Sequence, residues 1–131
     1  MGKVRFLAFY LASGLAAISL QTTVTLAAGS VFAGAVPTIG ASGAVSGVLG
    51  AYIVLLPTAK VLTIFFFVLL EVPAFLFLGI WFLFQVWAGG IAITHPDTGG
   101  GVAFFAHVGG FVFGVLTVRI LARRPPLQPA Y

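Results

Sequence analysis

Apolar residues run along this chain in blocks too long to be the buried stripe of a soluble helix. The first block reaches from Phe6 to about Ala28, behind Lys3 and Arg5. A second covers Ala41 to Leu56 and stops at Pro57, which cannot continue a helix. A third runs from about Ala74 to Ala88, with Trp81 and Trp87 in or near its outer half, and a fourth from about Val102 to Leu121. At ~1.5 Å per residue, ~20 residues cross a ~30 Å hydrocarbon core. Backbone groups in lipid must pair internally, which leaves helices or a closed barrel, and unbroken apolar runs without period-two alternation favour helices. The pattern predicts an all-α membrane protein, a polytopic bundle of about four transmembrane helices.

Polar punctuation separates the blocks: "GSVFAGAVPTIG" (29–40), "THPDTGGG" (94–101) and the Pro-rich end "RRPPLQPAY". The expected organisation is one transmembrane domain over residues 1–122 and a disordered cytoplasmic tail over 123–131. The stretch "VLTIFFFVLLEVP" (61–73) fits three descriptions: the end of one span, a segment at the interface, or the start of the next. Glu71 needs a partner or a surface position there, because a lone carboxylate is costly at mid-bilayer. A secretory signal competes for the first block, with "TLAAGS" resembling a small-residue cleavage site. The length of the run and the spans behind it speak against that reading.

Composition sharpens the class. The chain has 131 residues, 61% hydrophobic and 6% charged, against about 25% charged in soluble domains, and its mean hydropathy is +1.22. The absence of cysteine removes disulfides, thiolate metal sites and cysteine nucleophiles. The net charge of +4 comes from basic residues scattered singly or in a pair, so it marks topology rather than nucleic-acid binding. With four spans, Lys3, Arg5, Lys60, Arg119, Arg123 and Arg124 all fall on one side. Both termini are then expected in the cytoplasm, and the 29–40 and 91–101 loops outside.

This topology brings two polar residues to one depth. The second and fourth spans run in the same direction. Ser42 opens the second, and His107 lies one to two turns into the fourth. Ser42 to Leu56 is 14 residues, or ~21 Å of helix, and His107 to Arg119 is 12 residues, or ~18 Å. Snorkelling of Arg119 absorbs the difference. Ser42, Ser46 and Gly50 share one face of the second span, with Gly43 and Gly47 alongside. Ala106, Gly110 and Gly114 form a small-residue ridge beside His107, with Gly109 nearby. Such faces let helices pack closely in lipid. A histidine within hydrogen-bond reach is what a serine needs to become a nucleophile. Spacing alone leaves plainer readings open: Ser42 as an N-cap, the ridges as packing, and His107 as a buried polar residue or ion ligand.

The stretches "GASGAVSGVLGAY" (40–52) and "GGGVAFFAHVGGFVFGVL" (99–116) together resemble the rhomboid intramembrane serine proteases. That family carries a GxSG nucleophile motif opening one helix and an AHxxG-type histidine in its last core helix. Here these are Gly40-Ala41-Ser42-Gly43 and Ala106-His107-Val108-Gly109-Gly110. "RFLAFYLASGLAA" (5–17) and "WFLFQ" (81–85) also look like family segments. The resemblance implies a Ser–His dyad: Ser42 as nucleophile and His107 as general base, then general acid. It implies no cofactor and no metal. It also implies a water-accessible site open to the outer face, and single-span membrane proteins in the bilayer as substrates. Ser42 is expected to serve as both helix cap and nucleophile. Gly40, Ala41 and Gly43 leave room for a substrate backbone, and first-turn amides meet the oxyanion. Asp97 and Glu71 are expected away from the site, and His95 is expected to be an ordinary loop histidine.

The sequence departs from the family in one respect. Rhomboid cores have six spans, and the second carries a His and an Asn, four residues apart, that help form the oxyanion hole. Met1 falls where the family connects into its third span. The expectation is therefore a carboxy-terminal core that is inactive or poorly folded alone, with a longer parent active, since one oxyanion donor is worth ~10²–10³ in rate. The alternatives to a protease are a non-catalytic rhomboid-like protein that binds transmembrane helices, and an unrelated small transporter subunit. The compact chain suggests a prokaryotic cytoplasmic membrane, and nothing in it points to nucleic acid or to a particular oligomeric state.

Overall fold

The computed structural model describes residues 1–28, 41–95 and 103–122. Four helices make up the body: α1 (Lys3–Ala27), α2 (Ser42–Leu55), α3 (Ala74–Thr94) and α4 (Phe104–Leu121). A two-stranded hairpin, β1 (Lys60–Phe65) and β2 (Val68–Pro73), lies between α2 and α3. The chain is thus a helical membrane bundle, with α1, α3 and α4 each long and apolar enough to cross a bilayer. At 14 residues, α2 is ~21 Å long and shorter than the ~30 Å hydrocarbon core.

Helix α4 is the centre of the bundle, and glycines set how closely its neighbours approach. A methyl group on Gly110 would collide with the Gly43 carbonyl, one on Gly114 with the Gly47 carbonyl, and one on Gly50 with the Phe111 carbonyl. From Gly43–Gly110 to Gly47–Gly114 both numbers rise by four, so α2 and α4 run parallel, backbone against backbone. Helix α1 runs the other way, with Ala17 against Gly43, Ser13 against Gly47 and Leu20 against Gly109. In lipid, where apolar surface gains nothing by leaving the solvent, close packing of this kind holds helices together. The buried hydroxyls are satisfied locally: Ser13 Oγ donates to the Phe9 carbonyl at 2.8 Å and Ser46 Oγ to the Ser42 carbonyl at 2.7 Å.

Helix α3 packs antiparallel on α4 through the face carrying Ala74, Leu78, Trp81, Phe82, Gln85 and Gly89. Phe82 stacks on Phe111 at 4.7 Å between ring centroids. The helix continues past the Ala88 boundary expected from sequence, through Gly89 and Gly90, to Thr94. Gly89 is filled from outside, because the Phe105 ring lies where its side chain would be. The helix directions gather Lys3, Arg5, Lys60 and Arg119 at one end of the bundle. Asp97, Arg123, Arg124 and the expected tail lie outside the described residues.

The 61–73 segment forms an antiparallel ladder with Lys60 opposite Pro73 and Phe65 opposite Val68. Its β-branched residues suit strands better than a helix, and thirteen residues are too few to span. Lys60 Nζ and Glu71 Oε2 pair at 2.6 Å at the base, which gives the carboxylate the partner it needs.

Candidate active site

Ser42 is the first residue of α2, and His107 is the fourth of α4. Parallel packing of the two helices sets these starts side by side. His107 Nε2 lies 3.0 Å from Ser42 Oγ across 65 residues of sequence. Ser42 is exposed and His107 half-buried. The expected capping role of Ser42 does not appear. The N-cap is Ala41, with no side-chain cap bond, and the Ser42 hydroxyl turns to the imidazole instead. His107 is also two residues nearer its helix start than expected, because α4 begins at Phe104 rather than Val102.

A third side chain completes the arrangement from α3. Gln85 Oε1 lies 2.7 Å from His107 Nδ1, and Gln85 is buried. A carbonyl oxygen can only accept, so Nδ1 carries the proton and Nε2 presents its lone pair to Ser42. Trp81, one turn earlier on α3, packs its ring 6.0 Å from the imidazole and 6.0 Å from Phe111. Neither Gln85 nor Trp81 stands out as a site residue in sequence. The available signal is that Gln85 is the one amide in an otherwise apolar span, which in lipid marks a residue with a partner.

The first turn of α4 is held from α1. Gln21 Oε1 accepts from the Ala106 amide at 3.1 Å, and Gln21 Nε2 donates to Thr25 Oγ1 at 3.1 Å. This bond pins the backbone beside His107 to a second helix. Ala106 is buried against Gly43. Gly47, Gly50, Gly110 and Gly114 extend the α2–α4 contact away from Ser42 and His107, and Ser46 is buried on α2. Gly40 lies outside the described residues.

His95 and Glu71 belong to other elements. His95 ends α3 with its Nδ1 2.9 Å from Thr94 Oγ1, and Glu71 belongs to the hairpin at the opposite end of the bundle. Among the described residues, no three His, Cys, Asp or Glu side chains gather as a metal-ligand set. Chemically, the arrangement offers a hydroxyl, an acceptor nitrogen aimed at its proton, and a neutral oxygen fixing the far side of the ring.

The family model described as the Rhomboid domain matches residues 1–124. No curated protein and no solved structure matches the chain. The family match covers all four helices, the hairpin and both residues of the Ser42–His107 contact. The chain belongs to the rhomboid family, and it is an integral membrane protein.

Proposed function

We propose that this protein is an intramembrane serine endopeptidase that cleaves transmembrane segments of single-span membrane proteins. The observation that carries the reading is the 3.0 Å contact between Ser42 Oγ and His107 Nε2. The family match supports it, since rhomboid proteins act on membrane-protein substrates within the bilayer.

The chemistry follows from the groups in place. Nε2 takes the hydroxyl proton as Ser42 Oγ bonds to the scissile carbonyl carbon. Negative charge moves to the carbonyl oxygen, where first-turn amides at the start of α2, including that of Gly43, lack intrahelical partners and can donate. The imidazolium then gives its proton to the leaving amine as the C–N bond breaks, leaving an acyl ester on Ser42. Water, deprotonated by the same nitrogen, hydrolyses the ester and restores the hydroxyl. Gln85 keeps Nδ1 as the donor throughout, so the ring neither flips nor changes tautomer between the two steps. No carboxylate is needed in that position, and a neutral amide avoids placing a charge inside the membrane.

Residues 1–122 form the catalytic membrane domain in this reading, and 123–131 a tail. The basic end of the bundle faces the cytoplasm of a prokaryotic cell, and the dyad opens toward the opposite side. The reading departs from the expectation of an inactive core, because the Ser42–His107 contact forms within these four helices. The test is cleavage of a single-span reporter, with small and helix-breaking residues in its span, by the protein in proteoliposomes. Ser42→Ala should abolish cleavage and fluorophosphonate labelling. Cleavage unchanged by Ser42→Ala overturns the proposal.

A further inference from the structure

The β1–β2 hairpin has a property that the dyad does not use. Every residue from Ile64 to Leu70 is exposed and apolar, and no charge interrupts the ladder between Lys60 and Glu71. The tip is Phe65-Phe66-Phe67, with Phe67 wholly exposed at 101%. Phe66 and Phe67 also occupy left-handed backbone, at φ 46° and 66°. Two consecutive positive-φ residues are what a two-residue hairpin turn of this hand requires, and Asn-Gly normally supplies them. Bulky aromatics in that conformation are strained, so the turn chemistry and the side chains conflict.

Packing among the described residues does not compensate for this. Phe66 meets the edge of Phe65 at 4.8 Å, while among the described residues the hairpin packs on the bundle from its base, through Val61 and the neighbouring Ala59. A two-stranded hairpin with a free apolar face is marginal in water. Its base leads directly into α3, whose exposed Phe75, Leu76 and Ile80 belong to a membrane-spanning helix and face lipid. The exposed apolar run of the hairpin thus lies a few residues from that lipid-facing surface along the chain. It also lies at the end of the bundle that carries Lys3, Arg5 and Arg119, cations that suit the phosphate level of an anionic bilayer.

We infer that the hairpin is a membrane-surface anchor, with its Phe65–Phe67 tip embedded in the acyl boundary of the leaflet at the basic end of the bundle. The Lys60–Glu71 pair stays at headgroup level. The strands lie along the interface rather than across it, because their outer edges carry backbone groups that hydrocarbon cannot satisfy. Strain at the turn is retained because Asn-Gly there would forfeit the aromatic contact with lipid.

The chain has no cysteine, so Phe67→Cys and, separately, Phe66→Cys each take one nitroxide label. The full chain is reconstituted into vesicles of phosphatidylcholine and phosphatidylglycerol, with Ile80→Cys as the lipid-facing reference. The expected result is a tip label relaxed by oxygen and shielded from a water-soluble nickel complex, as at Ile80, in both variants. Access to the nickel complex in both variants overturns the anchor. So does a label immobilised and shielded from both reagents, which places protein, such as a second copy of the chain, over the tip. Neither result depends on Ser42 chemistry, so the anchor and the protease reading stand or fall separately.

Discussion

Gln85 and His107 share a 2.7 Å hydrogen bond that leaves the opposite imidazole nitrogen facing Ser42. A buried amide on one transmembrane helix thereby decides which nitrogen of a histidine on another can act as a base. Gln85→Leu should slow fluorophosphonate labelling of Ser42 by about 10- to 100-fold, the range for a buried donor left without its acceptor. Gln85→Glu keeps an acceptor oxygen on the same stem and should retain more of the rate than Gln85→Leu. The ¹⁵N imidazole spectrum of a His95→Gln background checks the cause, since proton occupancy of Nδ1 should fall in Gln85→Leu. Labelling rates that do not respond to Gln85→Leu would remove this residue from the mechanism.

The proposed mechanism requires a neutral imidazole at His107, and this fixes the sign of the pH dependence. Protonating Nε2 removes the lone pair that accepts the Ser42 proton. Labelling should fall as pH drops through the imidazole titration and should rise to a plateau above it. Labelling rates measured across that range, at constant folded fraction by near-UV circular dichroism, test this. A rate that rises toward acid would contradict a histidine base.

Two glycine substitutions should separate helix contact from helix propensity. Gly110→Ala drives a methyl into the Gly43 carbonyl, a backbone atom that yields only if α2 and α4 move apart. The expected cost is about 1–3 kcal/mol, with slower labelling as the Ser42–His107 gap widens. Gly79→Ala, where a methyl would meet nothing within 4 Å, should be neutral or stabilising by up to about 1 kcal/mol. Thermal unfolding in detergent distinguishes the two.

The Lys60–Glu71 pair is short, but its side chains are 59% and 57% exposed. Screening and side-chain entropy limit such pairs to about 0–1 kcal/mol. Glu71→Gln should lower the unfolding temperature only slightly, and the difference should shrink further in high salt. A large loss of stability would mean that the pair is shielded from solvent.

The apolar blocks made the helices legible because length and hydropathy are properties of single segments. Ser42 and His107 were brought to one depth by counting residues along helices of known direction. Gln85 escaped that reasoning because its partner is set by the lateral register of α3 on α4, which leaves no trace in spacing. The expected end of α3 at Ala88 falls short, since the helix runs on through Gly89 and Gly90 to Thr94. At Gly89 the Phe105 ring, arriving from another helix, packs where a side chain would be, a contact that spacing along the chain does not reveal. Ser42 looked like a cap because serine before an apolar run usually is one. In the fold the cap moves back to Ala41, and the hydroxyl is used across the helix interface. The 61–73 segment was ambiguous because its hydropathy matches a span while its length and β-branching do not.

That segment also decides whether the two polar residues can meet. Had residues 61–73 crossed the bilayer, α3 would have been turned over and α4 with it. His107 would then have emerged at the face opposite Ser42, a full membrane thickness away. By folding back on itself, the hairpin leaves a single crossing between α2 and α4, and an exit on the side where the chain entered. The meeting of a serine and a histidine 65 residues apart thus depends on thirteen greasy residues between them failing to become a helix.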